Sequence, residues 1–104
     1  MTMTAEQFDV ILDNRLEATR ATLGTKAVEY ASAKDRLHNF KRAAGLTGES
    51  PAQVCVGFLV KHLVSVLDIV DDHAKGDKRR IGLVDEKLGD AVNYLVLLEA
   101  LLKE

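Results

Sequence analysis

Two segments of this chain carry a narrow polar stripe on an otherwise apolar pattern. In the first, Lys61, Ser65, Asp68 and Asp72 are set among Val60, Leu63, Val64, Val66, Leu67, Ile69 and Val70. In the second, Glu86, Asp90 and Asn93 are set among Leu83, Val84, Leu88, Val92, Leu95, Val96 and Leu98. At about 100° per residue, steps of four and three keep each polar set within one strip of a helix. A helix that is apolar nearly all round is expected to be buried. Charges in a buried helix must be paired or must coordinate something. The two stripes are therefore expected to face each other across one groove.

Helix signals bracket these segments. Thr4-Ala5-Glu6-Gln7 fits a capping box opening a first helix, with Phe8, Ile11, Leu12 and Leu16 as its apolar face and Gly24 as its stop. Thr25 to Ala31 reads as a short polar connection containing Tyr30, although an unbroken helix through Tyr30 is an open alternative. Ser32-Ala33-Lys34-Asp35 resembles a second capping start, for a helix running to about Ala44 and ending at Gly45. Ser50-Pro51-Ala52-Gln53 is the clearest start, with an N-cap Ser, Pro at N1 and Gln at N3. That helix is expected to reach about His73, and Gly57 inside it suggests a close helix contact. A charged connection follows, and a last helix is expected from Ile81 or Gly82 to Leu102. The pattern predicts an all-α, four-helix bundle-like fold in a single domain spanning 1–104.

Composition narrows the function classes. The 104 residues are 47% hydrophobic and 29% charged, with a net charge of -2. That balance supplies no basic field for nucleic acid, and no recognition helix with a basic N-terminus stands out. Cys55 is the only cysteine, which excludes an internal disulfide and reads as a small buried hydrophobe in a reducing compartment. No targeting segment opens the chain and no run reads as a membrane span, so a cytoplasmic location is expected. Four helices in so short a chain leave broad apolar faces, so the bundle is expected to be completed by formation of a homo-oligomer.

The stripes suggest chemistry. Glu86 and Asp90 lie one turn apart and can hold one Mg²⁺ through carboxylate oxygens, with Asp68 from the facing helix completing the set. Lys61 can hold a phosphate or pair with Glu86 or Asp90, and Asn93 can orient a carboxylate or ligand. Arg36, Asn39 and Phe40 lie within about a turn of one another, a phosphate binder, a base-edge reader and a stacking ring. The alternative places Phe40 in the core, pairs Arg36 in a salt bridge, and has Lys61 and Arg36 neutralise the acids across a helix interface. His62 reads either as an interface residue or as a ligand, and His38 and His73 as surface residues. Lys78, Arg79 and Arg80 read as a solvated turn.

Several segments together resemble a phage-associated family of small proteins, the nucleotide-modification-associated domain family, related to the MazG-like all-α nucleoside triphosphate pyrophosphatases. They are Tyr30-Ala31, Asp35 to Phe40, Lys61-His62, and Asp85 to Leu95. The resemblance covers roughly 26–102. It implies an all-α MazG-like fold and Mg²⁺-dependent binding of a nucleotide, with hydrolysis of a dNTP or NTP to the monophosphate and pyrophosphate as the associated activity. By that similarity Glu86 and Asp90 match acidic positions that bind metal, Asp68 and Glu86 take catalytic roles, and Arg36, Asn39, Lys61, His62, Asn93 and Tyr94 take nucleotide-binding roles. Lys87 stands where those enzymes usually carry a second Glu. The rival expectation is a non-enzymatic all-α phage accessory or interaction protein whose stripes are structural salt bridges.

Overall fold

The computed structural model describes residues 2–24, 35–78 and 80–104. Among them every regular element is helical: α1 (Ala5–Leu23), α2 (His38–Thr47), α3 (Pro51–Ala74), a single 3-10 turn (Ile81–Leu83) and α4 (Val84–Lys103). The connection containing Tyr30, the Ser32 start and Arg79 lie outside the described residues.

The caps form as their residue types require. The Thr4 hydroxyl accepts from the Gln7 amide at 3.1 Å while the Gln7 side chain accepts from the Thr4 amide at 2.9 Å. Ser50 and Gln53 repeat the arrangement at α3, with distances of 3.2 and 2.8 Å. Two orphan amides are thus satisfied at each start. Gly24 stops α1 as expected, bonding to the Arg20 carbonyl with φ -75, outside the left-handed region. α2 begins at His38 and continues past Gly45 to Thr47, where Gly48 at φ 79 takes the left-handed cap that side chains disfavour.

α3 and α4 form an antiparallel hairpin. The Cys55 thiol donates to the Tyr94 carbonyl at 3.6 Å, and His62 meets Asp90, so early residues of α3 face late residues of α4. α2 closes one end of this hairpin. The buried core lies there: Leu37, Phe40, Ala44, Val54 and Cys55, with Ala43, Tyr94, Leu97, Leu98 and Leu101 packed against it. The rings of Phe40, Phe58 and Tyr94 sit 6.2, 6.3 and 6.4 Å apart, within the range of favourable aromatic contact. Phe40 is thus a core residue, as the structural alternative expected. Cys55 is fully buried, and desolvation raises its thiol pKa, which keeps it protonated. Gly57 has open space where a Cβ would stand, so the expected close helix contact is not what places a glycine there.

α1 lies along α4, with Phe8 to Ala18 beside Val84 to Leu88 and Leu23 beside Val96 and Leu97. Arg15 donates to the Asp85 carbonyl at 3.0 Å, and its guanidinium passes over Gly89, where a Cβ would come within 2.6 Å of Nη1. No residue of α1 is buried: Phe8, Ile11, Leu12 and Leu16, the expected core face, are 56, 53, 43 and 59% exposed. The radius of gyration is 16.1 Å, against about 13 Å for a compact domain of this length. At 24 residues α3 is also long and apolar enough to cross a membrane by length and composition, contrary to the sequence expectation. Its scattered charges break any continuous apolar run without lowering the mean enough.

Lys41 ties α2 to the end of the chain, donating to Asp35 at 2.6 Å and Glu104 at 2.7 Å. The hydrogen bond from Lys41, joined by the Leu37 amide, holds the Asp35 carboxyl below the usual carboxylate range. Its stabilising contribution is therefore present above the unfolded value, near about pH 4, and is lost as pH falls through the lowered folded value. In urea titrations across pH, the stability difference between the native chain and Asp35→Asn should be constant above about pH 5 and close on acidification. Two substitutions on α2 test the placement of the core. Phe40→Ala, at 8% exposure, should lower unfolding free energy by about 3–5 kcal/mol. Leu46→Ala, at 81% exposure, should change it by less than about 0.5 kcal/mol by the same measurement.

Candidate functional site

The polar stripe of α3 lies along one edge of the hairpin and is not enclosed by it. Asp68 and Asp72 are one turn apart near the C-terminus of α3, where carboxylates repel each other and oppose the helix dipole. Arg80, returning from the turn, relieves both problems. Its Nη1 is 3.7 Å from Asp68 and its Nε 3.3 Å from Asp72. The Asp72 side chain is only 18% exposed, so this charge compensation takes place partly out of water. Ser65 bonds back to the Lys61 carbonyl at 3.4 Å. Ser65, Asp68, Ile69, Arg80, Leu83 and Lys87 line a groove of about 220 Å³.

On α4 it is Lys87, not Glu86, that turns into this groove. Glu86 is 61% exposed on its side chain, with Lys87 Nζ 3.7 Å away. One residue is about 100° of rotation. The buried small residues Gly89 and Ala91 set that rotation by bringing α4 close to its neighbours. The Lys87 stem can lie along Ile69 and Leu83 while its ammonium stays in water. Asp90 of the α4 stripe meets His62, one residue off the α3 stripe: His62 Nδ1 is 3.6 Å from Asp90 Oδ2, and the His62 ring stacks on Tyr94 at 4.8 Å and 21°. Burial, then the neighbouring Cys55 and Asp90, raises the Tyr94 phenol above its ordinary pKa. Asn93 Oδ1 is buried without a hydrogen-bond partner among the described residues.

The expected residues thus fall into separate places. Asp68 belongs to Arg80, Asp90 to His62, and Glu86 faces water beside Lys87. Among the described residues no three His, Cys, Asp or Glu side chains gather as a metal site. The donor set Asp68, Glu86 and Asp90 therefore does not fit one Mg²⁺ in this arrangement. Arg36 donates to the Leu23 carbonyl at 2.9 Å and lines a cavity with Leu97, Ala100 and Glu104. Glu86 lies at the opposite end of α4, at least about 15 Å of helix rise away. Asn39 is exposed on the first turn of α2, and Lys61 is exposed on α3. Asp68 and Asp72 pair with Arg80, and Asp90 lies beside the His62 ring, a contact that is an ion pair only when the imidazole is protonated. Arg80 was legible only as part of a basic turn. The available signal was its position eight residues after Asp72, just beyond the left-handed Gly76 at φ 74 that folds the chain back.

Large apolar side chains are also exposed on α3 and α4. Val60, Val64, Leu67 and Val70 on α3 are 50, 52, 59 and 54% exposed. Leu95 and Leu102 on α4 are 50 and 70% exposed. Compared with protein-family models, with curated proteins and with solved structures, the chain matches none.

Replacing Arg80 by Ala should cost about 0.5–1 kcal/mol in unfolding free energy, because Asp68 and Asp72 then repel without compensation. The cost should shrink in about 0.5 M salt, as screening weakens that repulsion. Equal effects at low and high salt would show that Arg80 acts through packing alone.

Proposed function

We propose that this chain is a non-enzymatic helical interaction module that works as an assembly of identical copies, with its polar stripes serving as ion pairs along the hairpin edge. The observation that carries this reading is the set of large apolar side chains left open: among the described residues Phe8, Ile11, Leu16, Val60, Val64, Leu67, Val70 and Leu95 are each half exposed or more. Much of the exposed surface is Val, Leu, Ile and Phe on α1, α3 and α4. Contiguous apolar surface of this kind marks an interaction site. Ion pairing of Asp68 and Asp72 with Arg80 supports a structural role for the stripe of α3.

Nucleotide binding with Mg²⁺, in a MazG-like fold, is the second reading. One observation favours it: Arg80 and Lys87 bring two cations to a groove that also holds Ser65 and Asp68. The groove, at about 220 Å³, is smaller than the roughly 300 Å³ at which small-molecule sites begin. Ion-paired acids also leave fewer carboxylate oxygens for a metal.

Light scattering on a size-exclusion column separates the readings. The assembly reading expects a mass of at least twice 11.4 kDa at every concentration above the dissociation constant, and a monomer throughout would reject it. Calorimetry with dNTPs and NTPs, with and without Mg²⁺, should give no heat; Mg²⁺-dependent binding would establish the second reading. The double variant Glu86→Gln with Asp90→Asn should lower stability by about 0.5–1 kcal/mol by removing the His62 partner. A rise in stability would show instead that those carboxylates are held in mutual repulsion.

A further inference from the structure

α1 is joined to the rest of the chain on unequal terms. It packs chiefly against α4 and contributes no side chain to the buried core, which α2, α3 and α4 build without it. Two cavities interrupt the seam between α1 and α4. One, of about 570 Å³, lies between Phe8, Leu12 and Arg15 on α1 and Val84 and Leu88 on α4. The other, of about 500 Å³, lies between Leu16, Thr19 and Leu23 on α1 and Val96 on α4. Well-packed interiors leave few voids larger than a water molecule, so this seam is short of the contacts that hold helices together.

The polar groups at the seam pull in opposite directions. Arg15 favours docking: its Nη2 donates to the Asp85 carbonyl at 3.0 Å, and its Nη1 lies against Gly89. Thr19 opposes docking, because its Oγ1 is buried without a hydrogen-bond partner among the described residues. A hydroxyl held from water in this way regains a partner when the seam opens. The C-terminal end of α1 is tethered separately, by the Arg36 donation to the Leu23 carbonyl at 2.9 Å.

We propose that α1 is a detachable arm that undocks from α4 as a unit while α2, α3 and α4 stay folded. Arg15 is the latch of the docked state, and the Thr19 hydroxyl is a bias towards release. The inference goes beyond the assembly reading, since it concerns two helices of one chain. Proteins open in units whose free energies follow the contacts each unit makes, and a helix without a buried residue stands at the low end of that range. Opening leaves the core intact, because no residue of α1 belongs to it. It uncovers the face of α4 that carries Leu88, Gly89 and Val96, so the arm controls access to that face. Once released, α1 has little to keep it helical. Helices in proteins owe most of their stability to packing, and Asp9, Asp13 and Glu17 repeat like charges at steps of four. Its amides therefore lose protection on undocking.

Native-state amide hydrogen exchange on the full chain tests this, with rates corrected for sequence. The amides of Leu12 to Thr19 should exchange roughly tenfold or more faster than those of Leu59 to Leu63 in α3. Their exchange should also depend less on urea, because undocking exposes less surface than global unfolding. Arg15→Ala should speed exchange in α1 by about three- to tenfold. Thr19→Val keeps the shape without the hydroxyl and should slow it by about fivefold or more. Val54→Ala, in the core, should speed exchange in α3 by about tenfold and leave α1 unchanged, since docked and undocked states share that core. Equal protection of α1 and α3 in the native chain would overturn the arm, by showing that α1 opens only with the whole chain. Val54→Ala speeding both helices alike would overturn it for the same reason. Exchange in α1 that responds to neither Arg15→Ala nor Thr19→Val would overturn it as well, because the seam would then not govern the helix.

Discussion

A helix that is apolar around most of its circumference needs neighbours around most of its circumference, and the described residues do not supply them to α3. α3 meets α4 on one face and α2 at one end, and its remaining apolar arc stays in contact with water. Most other features follow from that shortage. The core gathers where α2 caps the hairpin and three helices converge. α1 lies on α4 without a buried residue, held in part by Arg15 across Gly89. Burial is the main favourable term in folding, so a chain that exposes this many Val, Leu and Phe side chains leaves much of its stabilisation unused until another surface meets it.

The charged residues obey a second constraint, the need to settle carboxylates near a helix end of like polarity. Asp68 and Asp72 sit within the last two turns of α3, and Arg80 answers them from the returning strand of chain. His62 and Asp90 mark the middle of the hairpin edge, stacked against Tyr94, which in turn belongs to the aromatic group around Phe40. The polar edge and the apolar core are therefore joined through Tyr94. An edge of this kind stabilises the hairpin without enclosing water-free space, which is why its carboxylates keep ordinary surface partners instead of converging.

Helix starts were legible because capping is local: Thr4 with Gln7 and Ser50 with Gln53 act over three residues and need nothing from the rest of the fold. The fate of Phe40 was legible as one of two options, since a ring at a helical spacing is either core or surface. The partners of the acids were not legible. Lys61 and Arg36 were as close in pattern as Arg80, and only the turn at Gly76 decides which cation returns to α3. The rotation of α4 was also hidden: whether Glu86 or Lys87 faces Asp68 depends on how closely Gly89 and Ala91 let neighbouring helices approach.

The sequence by itself determined that the chain is helical, where its capped helices begin, and that α3 and α4 carry more apolar surface than one short domain can hide. Those properties depend on residue type and on spacings of three and four, which any helix must respect. The tertiary structure alone decided which apolar arc of each helix is spent inside the chain and which remains open. It also decided that Asp68, Glu86 and Asp90 go to three different surroundings. These outcomes depend on helix rotation and packing distance, and an amphipathic pattern wide enough to fit several rotations does not choose among them.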